Sequence, residues 1–269
     1  AEERMAEGEE GSGDLTTVRT RSSYLAWGGL VLVALIHGYN WVVMKSALDF
    51  AHPAVFAAMR ISLAGVLLLM LMIVMRKPLM PPNWRATALV GLFGIAGFTG
   101  LTFWALESGA AGKTSVLVYT MPIWLLILSR VFLDERMRGY QWLYVGLVVA
   151  GLVFVMSPWS VGGTVVGNLL ALGSGFSSAI GSVIAKTLLK DKRVDLLSLN
   201  TWQMLFGCVP LIIMAVFTAD SGPEWTGWFV VMLIYNAVLA SALAMLLWFY
   251  SLRQLPAGTA GLGRLIAQV

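Results

Sequence analysis

The sequence predicts an all-α polytopic membrane protein, a five-plus-five inverted-repeat helix bundle. Three observations carry that prediction. Only 12% of the 269 residues are charged and 58% are hydrophobic, with a mean hydropathy of +0.81, whereas a soluble domain carries about 25% charged residues. The apolar residues fall into runs of bilayer-spanning length. Finally, the second half of the chain repeats features of the first at a nearly constant shift that covers five such runs.

A spanning helix needs roughly 20 mostly apolar residues. Spans 1 to 8 are read at 24–46, 53–75, 86–108, 114–133, 142–158, 165–188, 196–217 and 228–250, and span 9 opens near 257. Residues 1–23 hold six of the fourteen acidic residues and no apolar period, so a disordered acidic tail is expected there. They lack the basic region and short apolar core of a cleaved signal peptide. Repeat 1 then occupies 24–158 (spans 1–5) and repeat 2 occupies 165–269 (spans 6–9). Most connections are short, so consecutive spans are expected to be antiparallel neighbours.

Charge placement orients the bundle. Fourteen of the eighteen Lys and Arg residues fall on one side: Arg4, Arg19 and Arg21; Arg76, Lys77 and Arg85; Arg130, Arg136 and Arg138; Lys186, Lys190, Lys192 and Arg193; and Arg253. By the positive-inside rule this side, with the N-terminus, is cytoplasmic. The net charge of +4 therefore reports topology, and no nucleic-acid partner is implied. The one cysteine, Cys208, lies in an apolar run and offers no disulfide or paired redox motif.

The internal repeat has a parity. Asn40 to Leu48 (NWVVMKSAL) aligns with Gly181 to Leu189 (GSVIAKTLL) at a shift of 141, and Phe103 to Glu107 (FWALE) aligns with Phe249 to Arg253 (FYSLR) at a shift of 146. Five crossings per repeat make the second copy enter from the opposite side, so Lys45 and Lys186 end their spans on opposite faces. Inverted repeats of this kind build secondary transporters, with a site near the midplane between the halves; a channel is the main competitor in another class.

Several motifs go further. Asn40 with Lys45-Ser46-Ala47-Leu48 closes span 1, Pro53 and Arg60 open span 2, and Thr114 to Pro122 in span 4 precedes Leu133-Asp134-Glu135-Arg136. On these residues the chain resembles the drug/metabolite transporter superfamily, EamA type, over about 24–269. In its aromatic content it is similar to bacterial exporters of aromatic and other neutral amino acids. The resemblance implies ten helices, a bacterial inner-membrane location, and export of small amphipathic metabolites by alternating access. It implies no cofactor, a small-molecule (amino-acid) substrate, contact with the lipid bilayer, and a monomer or weak dimer. A sibling carrier of phosphorylated or nucleotide-linked solutes is the alternative within the superfamily. By the shift of 146 the copy of span 5 would fall near 288–304, so about nine of the ten helices are present and a longer native chain is expected.

Candidate site residues follow from what hydrocarbon tolerates. Ionisable groups inside spans are expensive and default to functional candidates. Arg60 lies seven residues into span 2, about 10 Å deep, and Arg264 lies six residues past Gly258 in span 9. A guanidinium takes a carboxylate bidentately. The competing reading for Arg60 is a structural pair with Glu107, while Arg264 has no acidic partner in view. No Asp or Glu lies mid-span, so either uniport or a proton relay through His37, the one mid-span histidine, is expected. His37 is also readable as a packing residue.

Trp41, Trp104, Tyr119, Trp202 and Trp248 offer flat apolar faces with a polar handle, and Asn40, Gln203 and Asn236 offer amides. Packing or lipid-facing roles compete for about half of the aromatic set. Tyr119 precedes Pro122, where a kink frees backbone carbonyls. Asn200 is read as a shallow cap at a loop edge. Gly91, Gly94, Gly97 and Gly100 in span 3, and the small-residue stripe Gly173, Ser177 and Gly181 in span 6, are read as close-packing and bending devices. That stripe also explains the faint likeness of Gly175 to Ser178 to a serine-protease nucleophile. No metal, nucleotide or hydrolase motif is present, and no enzymatic activity is expected.

Overall fold

A computed structural model describes the backbone of residues 2–108, 111–134 and 164–266, with Gly139, Leu143, Gly146, Leu147 and Ala150. Side chains are described within 25–106, 114–134 and 164–261, together with those five positions. The described residues form helices and no strand. Among the described residues, seven helices have the length and hydropathy to cross a membrane: Leu25–Ala47, Pro53–Val74, Trp84–Leu106, Thr114–Phe132, Val165–Leu189, Leu196–Thr218 and Gly227–Gln254. These are spans 1–4 and 6–8. Span 1 is the C-terminal half of a helix that begins at Glu2, and span 9 is the shorter helix Ala257–Ile266. Span 5 lies almost wholly outside the described residues.

Local chemistry sets the helix starts. Asn83, Thr164, Asp195 and Thr226 each accept a backbone N–H from the first turn of spans 3, 6, 7 and 8, at 2.9–3.4 Å. Span 2 starts with Pro53 at its first turn and with His52 Nδ1 accepting from Ala54 N. Such caps satisfy N–H groups that have no partner within the helix and contribute about 1 kcal/mol each.

Packing follows a two-fold logic. Span 2 packs on span 7, and span 4 on span 9. The other main pairings come in matched couples: span 1 on 8 with span 6 on 3, span 3 on 7 with span 8 on 2, and span 4 on 6 with span 9 on 1. Exchanging each span for its copy five places on maps the 2–7 and 4–9 pairings onto themselves and each of the others onto its partner in the couple. Large apolar side chains are left on the outside, Phe217 at 83% and Val74 at 78% exposure among them. In water such a surface would aggregate; in a bilayer it is the lipid-facing wall.

Contacts between connections show the inversion. Lys77, after span 2, pairs with Asp195, before span 7. Lys186 donates to Leu252 O and Leu255 O at the end of span 8, and Ser251 Oγ donates to Ala26 O at the start of span 1, 3.0 Å away. All of these residues therefore share one end of the bundle. At the other end, Glu224 N donates to Phe50 O at 2.8 Å, joining the connection between spans 7 and 8 to that between spans 1 and 2. The connection after span 1 and that after its copy, span 6, thus lie at opposite ends, and Lys45 and Lys186 with them.

Two spans widen mid-course. Residues Gly91–Gly97 in span 3 and Asn236–Leu243 in span 8 form π-helical turns. A shift of 146 carries 91–97 onto 237–243, so the widened turns occupy equivalent positions in the two repeats. Gly91, Gly94 and Gly97 of span 3 lie in this turn, and Gly100 follows it in the α-helix. The turn allows backbone to meet backbone: a Cβ on Gly181 of span 6 would lie 2.6 Å from Gly94 Cα and N. A π turn loosens carbonyls, and in both spans a polar side chain takes one up. Ser177 Oγ donates to Phe93 O at 2.8 Å, and Asn200 Nδ2 donates to Ala242 O at 3.0 Å.

Candidate functional site

Between the two π turns lies a cavity of about 90 Å³, several times the space a single water requires. Its wall combines His37, Asn40, Trp41 and Met44 of span 1 with Arg60 and Ile61 of span 2. Gly94, Ile95, Phe98, Thr99, Thr102 and Phe103 of span 3 and Val118 and Tyr119 of span 4 continue it. Ser178, Met204, Ala240, Ser241 and Met245 close it from repeat 2. Asn40 and Ala240, both in the wall, are by the repeat shifts the counterparts of Gly181 and Gly94. Gly181 and Gly94 themselves meet backbone to backbone, so a side chain on Gly181 has no room.

Arg60 is the cation of this wall. It is 8% exposed; Nη1 donates to Asn236 Oδ1 at 3.2 Å and approaches Met44 Sδ at 3.8 Å, while Nε has no hydrogen-bond partner. Asn236 in turn donates from Nδ2 to Met232 O at 3.2 Å. The Glu107 side chain, the alternative partner read from sequence, lies outside the described residues.

The opposite wall is aromatic. Span 4 is broken at Tyr119 and Thr120, between helices Ala111–Val118 and Met121–Phe132, with Pro122 at the start of the second. The break turns Tyr119 toward span 1, where Trp41 Nε1 donates to its hydroxyl and the two rings meet edge to face with centroids 6.0 Å apart. His37 Nδ1 lies 3.0 Å from Val33 O. A carbonyl only accepts, so Nδ1 is the donor in this contact.

The structure thus brings Asn40, Trp41, Arg60, Tyr119 and His37 to one cavity and sets Asn236 behind Arg60. It places the other candidates elsewhere. Trp104 is 45% exposed, and Trp248 is buried in a cluster that draws on spans 1, 3, 4, 6, 7, 8 and 9. Trp202 stacks on Phe206, and Gln203 Nε2 donates to Asn200 Oδ1 at 2.9 Å, a scaffold bond beneath the span 8 π turn. The Arg264 side chain lies outside the described residues. Sequence reasoning missed Phe98, Phe103, Thr99 and Thr102, which read as ordinary span residues; the glycine run at 91–97 was the available signal that span 3 borders a cavity.

A bundle of apolar helices with inverted halves and a polar-tipped cavity between them defines a membrane transporter. The chain belongs to the EamA-like transporter family, of the drug/metabolite transporter superfamily; the family matches it twice, over residues 25–157 and 165–266. Similar proteins include the uncharacterized transporter YoaV of Bacillus subtilis, 29% identical over 90% of this chain and 84% of that one. YvbV of the same organism is 32% identical over 86% and 75%. The uncharacterized inner membrane transporter YedA of Escherichia coli is 26% identical over 88% and 77%. A solved crystal structure superposes with a TM-score of 0.72 over 94% of this chain and 85% of that one, at 16% identity, a likeness of fold alone.

Proposed function

We propose that this transporter is a secondary carrier that exports small amphipathic metabolites, neutral and aromatic amino acids in particular, by alternating access across the bacterial inner membrane, with its N-terminus in the cytoplasm. The observation that supports this reading is one cavity joining a buried guanidinium, Arg60, to the aromatic pair Trp41–Tyr119. Arg60 takes the carboxylate, the rings with Phe98 and Phe103 take the side chain, and amides take the ammonium. Arg60 is the one cation among the described lining residues, which suits a monoanionic carboxylate better than a phosphate dianion. Two π turns at the cavity's edge suit a fold whose halves rock about it, because such turns repack more easily than α-helix.

Radiolabelled tryptophan counterflow in proteoliposomes tests the reading. Saturable, trans-stimulated exchange is expected. Linear flux would instead indicate a channel, and thermal stabilisation by sugar phosphates without stabilisation by tryptophan or threonine would favour the sibling substrate class.

Transport runs either as uniport or coupled to protons through His37, because no carboxylate lies mid-span. If a pH gradient drives uptake, His37→Gln is expected to abolish that dependence while leaving counterflow intact. Dependence that survives the substitution would show that another group carries the proton.

A further inference from the structure

We infer that Asn40 reads the amino group of the substrate: its side-chain oxygen accepts from the ammonium while Arg60 holds the carboxylate, so the cavity selects α-amino acids over des-amino acids of the same shape. This rests on the carrier reading above and assigns one of its amides to a task.

The assignment begins from two unsatisfied atoms. Asn40 and Arg60 are 5% and 8% exposed and line the same cavity, and Asn40 Oδ1 and Arg60 Nε are both buried without a hydrogen-bond partner. Leaving a buried polar atom unmatched is costly, and such atoms call for a reason. Here one is an acceptor and the other a charged donor, the complement of an amino acid's two ends.

Chemistry fixes which end of the Asn40 amide is unmatched. Its other end lies 3.1 Å from Met44 Sδ. A thioether sulfur only accepts, so the NH₂ must face it; the reversed amide would set two acceptors together. The same sulfur is 3.8 Å from Arg60 Nη1. Through this shared neighbour Asn40 Nδ2 and Arg60 Nη1 are no more than about 7 Å apart, which keeps the Asn40 amide and the Arg60 guanidinium within the reach of the two ends of one small zwitterion, with a hydrogen bond of about 2.9 Å at each.

The other amides and hydroxyls are poorer readers of an ammonium. Asn236 uses its oxygen on Arg60 and its NH₂ on Met232 O. Thr102 Oγ1 donates to Phe98 O, and a hydroxyl can in general rotate to donate or accept. The Asn40 oxygen can only accept. A ligand that presents CH₂ where the ammonium belongs leaves that oxygen dry and unpaired, and sites built this way discriminate strongly against analogues that lack the donor.

The test is competition for labelled tryptophan and leucine counterflow by each amino acid and by its des-amino counterpart, indole-3-propionate or 4-methylpentanoate. In the wild type the des-amino acids are expected to compete about ten- to a hundred-fold more weakly, the range of one charge-assisted hydrogen bond. Asn40→Leu is expected to narrow that ratio below about three-fold, mainly by weakening the amino acid, while Asn40→Asp, which keeps an acceptor oxygen, preserves it. Equal competition in the wild type, or a ratio unchanged in Asn40→Leu, overturns the proposal while the carrier reading stands. If the Leu variant fails to fold, the wild-type ratio still decides. If neither amino acid shows counterflow in the wild type, the carrier reading falls and this assignment with it.

Discussion

Tyr119 occupies the residue that interrupts span 4, and its hydroxyl is held by Trp41 from the neighbouring span. Trp41→Phe and Tyr119→Phe each remove that hydrogen bond and keep the ring contact. Each is expected to weaken apparent tryptophan affinity a few-fold, and the double variant little further, with a coupling free energy of about 0.5–1.5 kcal/mol in a double-mutant cycle of counterflow. Additive losses would mean that the two rings act separately. Arg60→Gln removes the cation and is expected to abolish thermal stabilisation by tryptophan. Residue depth was only partly legible. Counting along span 2 put Arg60 about 10 Å into the membrane, and the structure buries it. The same counting made Asn200 a loop-edge cap, whereas it is fully buried and binds Ala242 O and Gln203. The difference arises because span 8 widens into a π turn beside it and offers a bare carbonyl, a fact that belongs to another helix.

At the scale of elements, the widened turns of spans 3 and 8 depend on what packs against them. Gly181→Val places branched atoms where Gly94 backbone already stands 2.6 Å from the Cβ position. A loss of more than about 3 kcal/mol is expected, beyond the usual range for overpacking, because backbone rather than a side chain is in the way. A fall in melting temperature in detergent would register it. Gly38→Ala, where nothing lies within 4 Å of the added Cβ, is the control and is expected to leave the melting temperature unchanged or slightly raised. The glycines were legible as close-packing devices; the π geometry was not, since it needs two helices pressed together to make the extra residue per turn worthwhile.

For the whole molecule, the ends differ in chemistry. At one end Lys77 bridges to Asp195, Lys186 binds the closing carbonyls of span 8, and Arg253 donates to Val194 O. Burial raises the Asp195 pKa, but the Lys77 hydrogen bond and the Ser198 amide outweigh it and hold the carboxyl below its ordinary value. A carboxyl depressed in the folded state adds stability above its unfolded pKa of about 3.9 and loses it as the pH falls through the lower folded value. Melting temperature is therefore expected to drop on acidification below about pH 4, and Asp195→Asn to flatten that limb. A flat limb in the parent would show that the pair contributes nothing. Topology has its own measurement: with Cys208 replaced by Ala, single cysteines at Lys192 and Gly222 are expected to react with an impermeant maleimide from opposite faces of a vesicle. Reaction from one face would break the inverted arrangement.

Composition and apolar run length determined that this chain spans a membrane repeatedly, since hydrocarbon admits little charge and only helices of sufficient length. The offset self-similarity and its odd number of crossings carried the inversion, because parity is a property of counting and needs no coordinates. Tertiary structure alone decided which faces of those helices meet. Rotation about a helix axis is set by neighbours, so only the packed bundle could gather Asn40, Trp41, Arg60 and Tyr119 about one space and turn Trp104, Trp202 and Trp248 away from it.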